Sequence, residues 1–81
     1  MKTPEAISSW IVDYLAKVLG VSPSEIDPRR SFGEYGIDSA GAAGLSGDLS
    51  DWLGVVLKDS VAFEYPTIEE LTAHVSSQLE R

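Results

Sequence analysis

The sequence has no cysteine and a single histidine, His74, among its 81 residues. Without cysteine, the chain can form neither a disulfide nor a thiolate metal site. One histidine cannot build a histidine-based metal site alone. Because His74 stands beside an apolar stripe, we expect a boundary residue there rather than a catalyst. The sequence therefore predicts neither a metal site nor catalytic residues.

Long apolar runs are also missing. No stretch approaches the length that a transmembrane helix needs, so no membrane association is expected. No apolar signal region follows Met1, which makes the cytoplasm the expected compartment. A chain of this length forms one small domain, so residues 1–81 are predicted to be a single domain and a monomer. Such a domain has little room for a catalytic cleft.

Basic residues are scarce. Six Lys and Arg stand against 13 Asp and Glu, for a net charge of −7, which argues against nucleic-acid binding. The excess lies in residues 31–70, where Lys58 is the one basic residue. Two interpretations stay open, a solvated acidic face or a docking surface for basic partners. The acidic residues of this stretch are Glu34, Asp38, Asp48, Asp51, Asp59, Glu64, Glu69 and Glu70.

The first helix is predicted between a cap at Thr3, with Pro4 in its first turn, and a left-handed end at Gly20. Apolar residues recur in steps of three and four, which gives one continuous stripe. The two aromatic residues of that stripe are expected in the core rather than in a ligand pocket. The stripe consists of Ile7, Trp10, Ile11, Tyr14, Leu15, Val18 and Leu19.

Two more helices follow the same spacing. The second is predicted from Asp38 or Ser39 to about Leu53, and the last from Ile68 to about Leu79, after a capping box formed by Thr67 and Glu70. The stripe of the second consists of Ala42, Leu45, Leu49, Trp52, Leu53 and Val56. The stripe of the last consists of Ile68, Leu71, Val75 and Leu79.

The connections complete the predicted fold. Residues 21–37 form a long first loop that begins with a capping box, Ser22 to Glu25, and hence with a single helical turn. Residues 60–65 are expected to form one or two short turns. The amphipathic stripes need one another for burial, so we expect an all-α fold, a small four-helix bundle of three main helices and one short helix. Ile26, Phe32, Tyr35 and Ile37 are expected to pin the loop to the core.

Ser39 stands at the predicted start of the second helix. The first backbone N–H groups of a helix lack intrahelical partners, and that end carries partial positive charge. A phosphate on the serine oxygen would be stabilised by both effects. A nucleophilic serine would need a nearby base, and the hydrolase pattern Gly-x-Ser-x-Gly is absent. On these grounds alone, Ser39 is either a phosphate attachment point or a plain helix-start serine.

The surrounding segments identify a family. The run from Phe32 to Ser39 has the form F-x-x-x-G-x-D-S, and the run from Phe63 to Ile68 contains Pro-Thr-Ile before the last helix. Together they resemble acyl carrier proteins, and are most similar to carrier domains of bacterial modular polyketide synthases. The resemblance covers nearly the whole chain.

The resemblance implies a carrier and not an enzyme. Ser39 would receive 4′-phosphopantetheine from coenzyme A through a magnesium-dependent phosphopantetheinyl transferase, and Asp38 would help that transferase engage. The thiol of the arm would hold acyl or polyketide intermediates as thioesters. The implied partners are an acyl-activating enzyme or acyltransferase, a ketosynthase and other assembly-line enzymes. A peptidyl carrier domain, or a helical interaction domain without any arm, stays an alternative.

The second helix departs from the family pattern. Ala40 replaces a larger apolar residue, Gly44 replaces an acidic one, and Gly41, Gly44 and Gly47 recur three apart. The glycines indicate either close approach by a partner or a weak helix held by tertiary packing. The candidate docking residues are Ala40, Ala43, Gly44, Gly47, Asp48, Asp51 and Glu64.

Overall fold

Four α-helices form the fold of residues 2–80. The structure is a computed structural model that describes residues 2–80, so the predicted domain limits, Met1 and Arg81, lie outside the described residues. The helices are α1 (Pro4–Leu19), α2 (Ser39–Leu53), α3 (Val61–Glu64) and α4 (Ile68–Leu79), and two 3₁₀ turns, Pro23–Glu25 and Gly33–Tyr35, lie between α1 and α2. The predicted four-helix bundle with a long first loop is confirmed.

Local signals set the ends of α1 and α2. The Thr3 hydroxyl accepts a hydrogen bond from the amide of Ala6 at 3.1 Å, which caps the start of α1. Gly20 and Gly54 end α1 and α2 with φ of 71°, a left-handed conformation that glycine adopts without a Cβ penalty. These helix limits follow from short-range chemistry and match the sequence prediction.

The core is formed by the inward stripes of α1, α2 and α4 together with α3. Trp10, Tyr14 and Leu79 are half-buried and pack against this core. None of the helices within residues 2–80 is long and apolar enough to span a bilayer. The largest fully buried side chains are Ile7, Ile11, Leu15, Leu45, Leu49, Ile68, Leu71, Val75 and Ser46.

Two valines assigned to the stripes are not buried, and those two assignments were wrong. Val18 is 57% exposed, whereas Ala16 near the same end of α1 is buried. The turn Pro23–Glu25 packs against α1. Val56 is 96% exposed because α2 has already ended at Gly54, so its helical spacing no longer applies.

The first loop is fastened to the start of α4 through backbone atoms. The amide of Phe32 donates to the carbonyl of Pro66 at 2.7 Å, and the amide of Glu69 donates to the carbonyl of Pro28 at 3.0 Å. Ile26 and Phe32 are buried and Tyr35 and Ile37 half-buried, so the predicted anchors do hold the loop. The first loop is therefore packed against the helices as part of the bundle.

The two predicted capping boxes have different outcomes. At the first turn, the amide of Ser22 donates to the Glu25 carboxylate at 2.9 Å, and the box is complete. At α4, the Thr67 hydroxyl accepts from the amide of Glu70 at 3.0 Å, but the Glu70 carboxylate accepts from the Thr67 hydroxyl. The carboxylate of Glu70 is therefore not bonded to the backbone N–H of Thr67, and the second box is only half formed.

Candidate functional site

The start of α2 is organised by Asp38. Its carboxylate accepts a hydrogen bond from the amide of Gly41 at 2.8 Å, and its carbonyl accepts one from the amide of Ala42 at the same distance. The amides of Ser39 and Ala40 are then the first-turn donors that this cap does not use. Ser39 itself is exposed. An accessible hydroxyl therefore lies at the positive end of a 15-residue helix.

The loop before Ser39 closes tightly and fixes where α2 begins. Gly36 has a φ of 80°, a left-handed conformation that side-chain-bearing residues rarely adopt. The amide of Ile37 turns back to the carbonyl of Phe32 at 3.0 Å. Ile37 is half-buried against the core, so the chain is held immediately before Asp38.

A groove runs beside Ser39, between the first loop, the start of α2 and α3. Its volume is about 300 Å³. Phe32, Ala42 and Ala62 are buried and form an apolar floor, whereas Phe63 is 69% exposed. The residues that line it are Ser31, Phe32, Gly33, Ile37, Asp38, Ser39, Ala42, Ala62, Phe63 and Pro66.

The histidine of the chain lies away from the groove beside Ser39. His74 is half-buried, and its ring stacks on Tyr65 with the centroids 4.0 Å apart. It lines a different cavity, of about 340 Å³, formed with α3 and the loop before it. Within the described chain, no histidine lines the groove beside Ser39. His74 thus has the boundary position that its spacing predicted.

The sequence matches the family model described as "Phosphopantetheine attachment site" over residues 9–75. The chain belongs to this family. Members of the family carry covalently attached 4′-phosphopantetheine, so the chain is a carrier domain and not itself a catalyst.

Known carrier proteins share both sequence and fold with it. The carrier domain is 38% identical over 68 residues to one chain of the phenolphthiocerol/phthiocerol polyketide synthase of Mycobacterium tuberculosis, and the match covers 84% of this chain and 4% of that protein. It is 42% identical over 55 residues to the acyl carrier protein TtuC of Teredinibacter turnerae, across 68% of this chain and 63% of that protein. The chain thus spans less than two thirds of either relative.

A solved structure has nearly the same fold. A free-standing peptidyl carrier protein from Acinetobacter baumannii superposes with a TM-score of 0.88 at 37% identity, and the match covers 98% of this chain and 99% of that one.

The residues at the start of α2 fit a phosphopantetheine group. Ser39 offers an exposed hydroxyl, and the amides of Ser39 and Ala40 face the end where a phosphate is favoured. The Asp38 carboxylate is held by Gly41, and a Cβ on Gly41 would lie 3.4 Å from that carboxylate and 3.1 Å from Ile37. Glycine at 41 therefore leaves room for the cap.

The predicted docking residues lie mostly on one surface. Those of α2 are spaced three and four apart and share one face of the helix, while Glu64 belongs to α3. Two of their acidic groups also bond within the chain. Asp48 accepts from the Tyr14 hydroxyl at 2.8 Å, and Glu64 accepts from the Ser60 hydroxyl at 2.7 Å. The α2 members are Ala40, Ala43, Gly44, Gly47, Asp48 and Asp51, all exposed except the half-buried Ala43.

Two serines of α2 were not singled out from the sequence, although both organise neighbouring segments. Ser46 is fully buried and its hydroxyl joins α2 to α3. The Ser50 hydroxyl donates to the carbonyl of Val55 and accepts from the amide of Leu57 at 3.2 Å. Ser46 follows Ala42 by one helical turn, and this polar residue on an apolar face was the available signal.

Tyr14 and Asp48 join α1 to α2 at the edge of the predicted docking surface. Burial raises the pKa of Tyr14 from its ordinary 10.0 to about 12, and the hydrogen bond to Asp48 and the charge of Asp48 act in the same direction. Trp10 stacks on Tyr14 and on Trp52, with centroid distances of 5.3 and 5.2 Å. This aromatic stack was predicted as core and lies at its half-buried margin.

Proposed function

We propose that Ser39 is the attachment point of 4′-phosphopantetheine in this carrier domain. The observation that carries the proposal is the exposed Ser39 hydroxyl in the first turn of α2, beside an apolar groove. In the attachment reaction, the Ser39 oxygen forms a bond to the phosphorus of the phosphopantetheine part of coenzyme A. The bond from that phosphorus to the adenosine-bearing phosphate breaks, and the hydroxyl proton passes to the transferase.

The attached group supplies a terminal thiol that holds an acyl chain as a thioester. The protein itself then orients the attached group and presents the acyl chain to partner enzymes. Asp38 fixes the start of α2 through its cap and, in our proposal, is also recognised by the phosphopantetheinyl transferase. The helix end favours the phosphodiester, since its first amides and its dipole both attract negative charge.

We further propose that the carried intermediates are acyl or polyketide chains. Support comes from the 38% identity to a polyketide synthase over 84% of the chain. The proposed partners are an acyl-activating enzyme or acyltransferase and a ketosynthase, which would dock on the α2 face and Glu64. A single carrier domain over residues 1–81, a monomeric state and a cytoplasmic location stay predictions.

Incubation of the apo protein with coenzyme A, magnesium and a broad-specificity phosphopantetheinyl transferase tests the attachment. Intact-mass spectrometry is expected to show the gain of one phosphopantetheine group, located on Ser39 by peptide mapping. Ser39→Ala should abolish the gain. Ser9→Ala, at an exposed position of α1, is the matched control and should be modified like the parent. A gain that survives Ser39→Ala would contradict the assignment.

A peptidyl carrier is the second candidate. It is favoured by the fold match to the free-standing peptidyl carrier protein at 37% identity. The two candidates differ in the group that is loaded on the thiol. Loading of an amino acid by adenylation enzymes, with no loading by acyl-activating enzymes or acyltransferases, would favour the peptidyl function. The alternative of a helical interaction domain without an arm predicts no mass gain at all.

A further inference from the structure

Ser46 is fully buried in the middle of α2, yet its hydroxyl makes two hydrogen bonds. It donates to the carbonyl of Ala42 at 2.8 Å and accepts from the amide of Ala62 at 3.1 Å. The first bond lies within α2, and the second crosses to α3. The bond to Ala62 is a strong local constraint, because breaking it leaves the buried amide of Ala62 without a partner.

The bond to Ala62 is important because α3 is so short. Val61–Glu64 is a single turn, too short to be stable by itself. The Ser60 side chain, at the N-cap position, does not cap the helix, since its hydroxyl donates to the Glu64 carboxylate. The amide of Ala62 is bonded instead by a side chain of another helix. Ser46 thus takes the place of the missing cap.

The position of α3 decides the shape of the groove beside Ser39. Ala42 and Ala62, the two residues that Ser46 bonds, both line that groove, and so does Phe63. Phe63 is 69% exposed, and a large exposed apolar side chain beside a reactive position is suited to contact a partner. Ser46 does not itself line the groove, so it can act there only through the two residues that it bonds, Ala42 of α2 and Ala62 of α3.

We propose that Ser46 is a positioning residue for the modification of Ser39, because it holds α3 and therefore Phe63 in register with the start of α2. The proposal rests on the proposed attachment of phosphopantetheine to Ser39. It adds that the transferase contacts Phe63, so that its reaction depends on the position of α3 relative to the start of α2. Removing the hydroxyl then lowers the modification rate although Ser46 never touches the transferase or coenzyme A.

The chain provides a matched control in Ser50. It also lies on α2, and its hydroxyl also bonds a carbonyl and an amide of the following segment, those of Val55 and Leu57. Ser50 therefore fastens the loop after α2, and none of these residues lines the groove. Ser46→Ala and Ser50→Ala each remove a hydroxyl that makes two hydrogen bonds, from a fully buried and a half-buried position respectively. Only the hydroxyl of Ser46 bonds α3.

The test measures steady-state modification of the full chain by the transferase with coenzyme A, at a temperature where circular dichroism shows every variant folded. Ser46→Ala is expected to lose about tenfold in kcat/KM, since a small misplacement remote from the chemistry can have an effect of this size. Ser50→Ala should stay within about twofold of the parent, the range expected when a distant change leaves the site intact. Ser46→Cys, with a weaker hydrogen-bonding group of similar shape, should fall between parent and Ser46→Ala, and it replaces Ser46→Ala if that variant does not fold.

A double-mutant cycle with Phe63→Ala tests whether Ser46 affects the modification rate through Phe63. Because Ser46 acts through Phe63, Ser46→Ala should add less than about a twofold loss in the Phe63→Ala background. Equal losses for Ser46→Ala and Ser50→Ala, or full additivity with Phe63→Ala, overturn the positioning role while Ser39 is still modified. Failure of the parent to be modified at Ser39 overturns the proposed function, and this inference with it.

Discussion

Asp48 serves the fold and a proposed docking surface at the same time. Its carboxylate accepts the Tyr14 hydroxyl at 2.8 Å, which links α2 to α1. The charge interpretation from the sequence placed Asp48 beside Asp51 as equal docking residues. The structure separates them, because a change at Asp48 also removes a partner from Tyr14. A binding defect at Asp48 is therefore not evidence of docking by itself.

Tyr14→Phe is expected to lower the free energy of unfolding by about 1 kcal/mol at neutral pH, because it removes a hydrogen bond to a carboxylate that can rehydrate. Folding raises the pKa of Tyr14 from 10.0 to about 12 and so favours the protonated phenol. This contribution is complete below pH 10 and is lost as the pH rises through about 12. Urea titrations at about pH 8 and about pH 11 should show the difference between parent and Tyr14→Phe shrinking.

Tyr65→Phe is the control for this measurement. Tyr65 stacks on His74 and is a tyrosine outside the contact with Asp48. Its substitution should leave the alkaline loss of stability as in the parent. A difference between parent and Tyr14→Phe that stays constant up to about pH 11 would contradict the assigned role of Tyr14.

At the level of single elements, the three glycines of α2 have different surroundings. A Cβ on Gly41 would lie 3.1 Å from the Ile37 side chain, one on Gly44 would lie 3.8 Å from the Tyr14 hydroxyl, and one on Gly47 would meet nothing within 4 Å. Close packing inside the chain thus explains Gly41 alone. For Gly44 and Gly47, a weak helix and close approach by a partner both stay open.

Gly47→Ala should raise the free energy of unfolding by up to about 1 kcal/mol, because alanine is the better helix former and the added methyl group meets open space. Gly41→Ala should gain nothing or destabilise, since the same propensity gain is offset by contact with Ile37. Urea unfolding of both variants gives the comparison. An equal gain at both positions would mean that Ile37 moves aside freely.

The sequence predicted α1, α2 and α4 closely because their ends depend on residues within one turn. Thr3, Asp38, Gly20 and Gly54 are such local signals. The start of α3 could not be assigned in this way, because the group that bonds its amide is Ser46, 16 residues away in the chain. The same limit applies to Ser50, whose role depends on how the chain folds back after Gly54.

The candidate site was likewise predictable from sequence only where it depends on residues close together in the chain. Ser39 and Asp38 were assigned from sequence because a helix start and a family pattern coincide there. The groove beside them was not foreseen, since it needs the first loop, α2 and α3 to meet. Val18 shows the reverse case, where correct helical spacing did not ensure burial, since its side chain is 57% exposed.

For the molecule as a whole, the acidic charge is hardly neutralised from within. One ion pair occurs within residues 2–80, Arg29 with Glu69 at 3.8 Å, and both side chains are largely exposed. An exposed pair of this kind contributes little to stability. The net charge of −7 is therefore mostly uncompensated by internal ion pairs and is available to attract basic partners.

Binding of the transferase is expected to weaken as salt rises, because exposed charges are screened beyond about 10 Å at 0.1 M ionic strength. Asp51→Lys should weaken binding and flatten the salt dependence, since it reverses a charge on the proposed docking face of α2. Asp13→Lys makes the same change in net charge on an exposed position of α1 and should have a smaller effect. Titration calorimetry of both variants at low and high salt separates a local docking charge from a general attraction. Equal losses of affinity for Asp51→Lys and Asp13→Lys would contradict a local docking role for Asp51 and indicate that only the net charge matters. An affinity that does not change with salt would contradict the role of charge and would indicate that the apolar contacts around Phe63 are the basis of recognition.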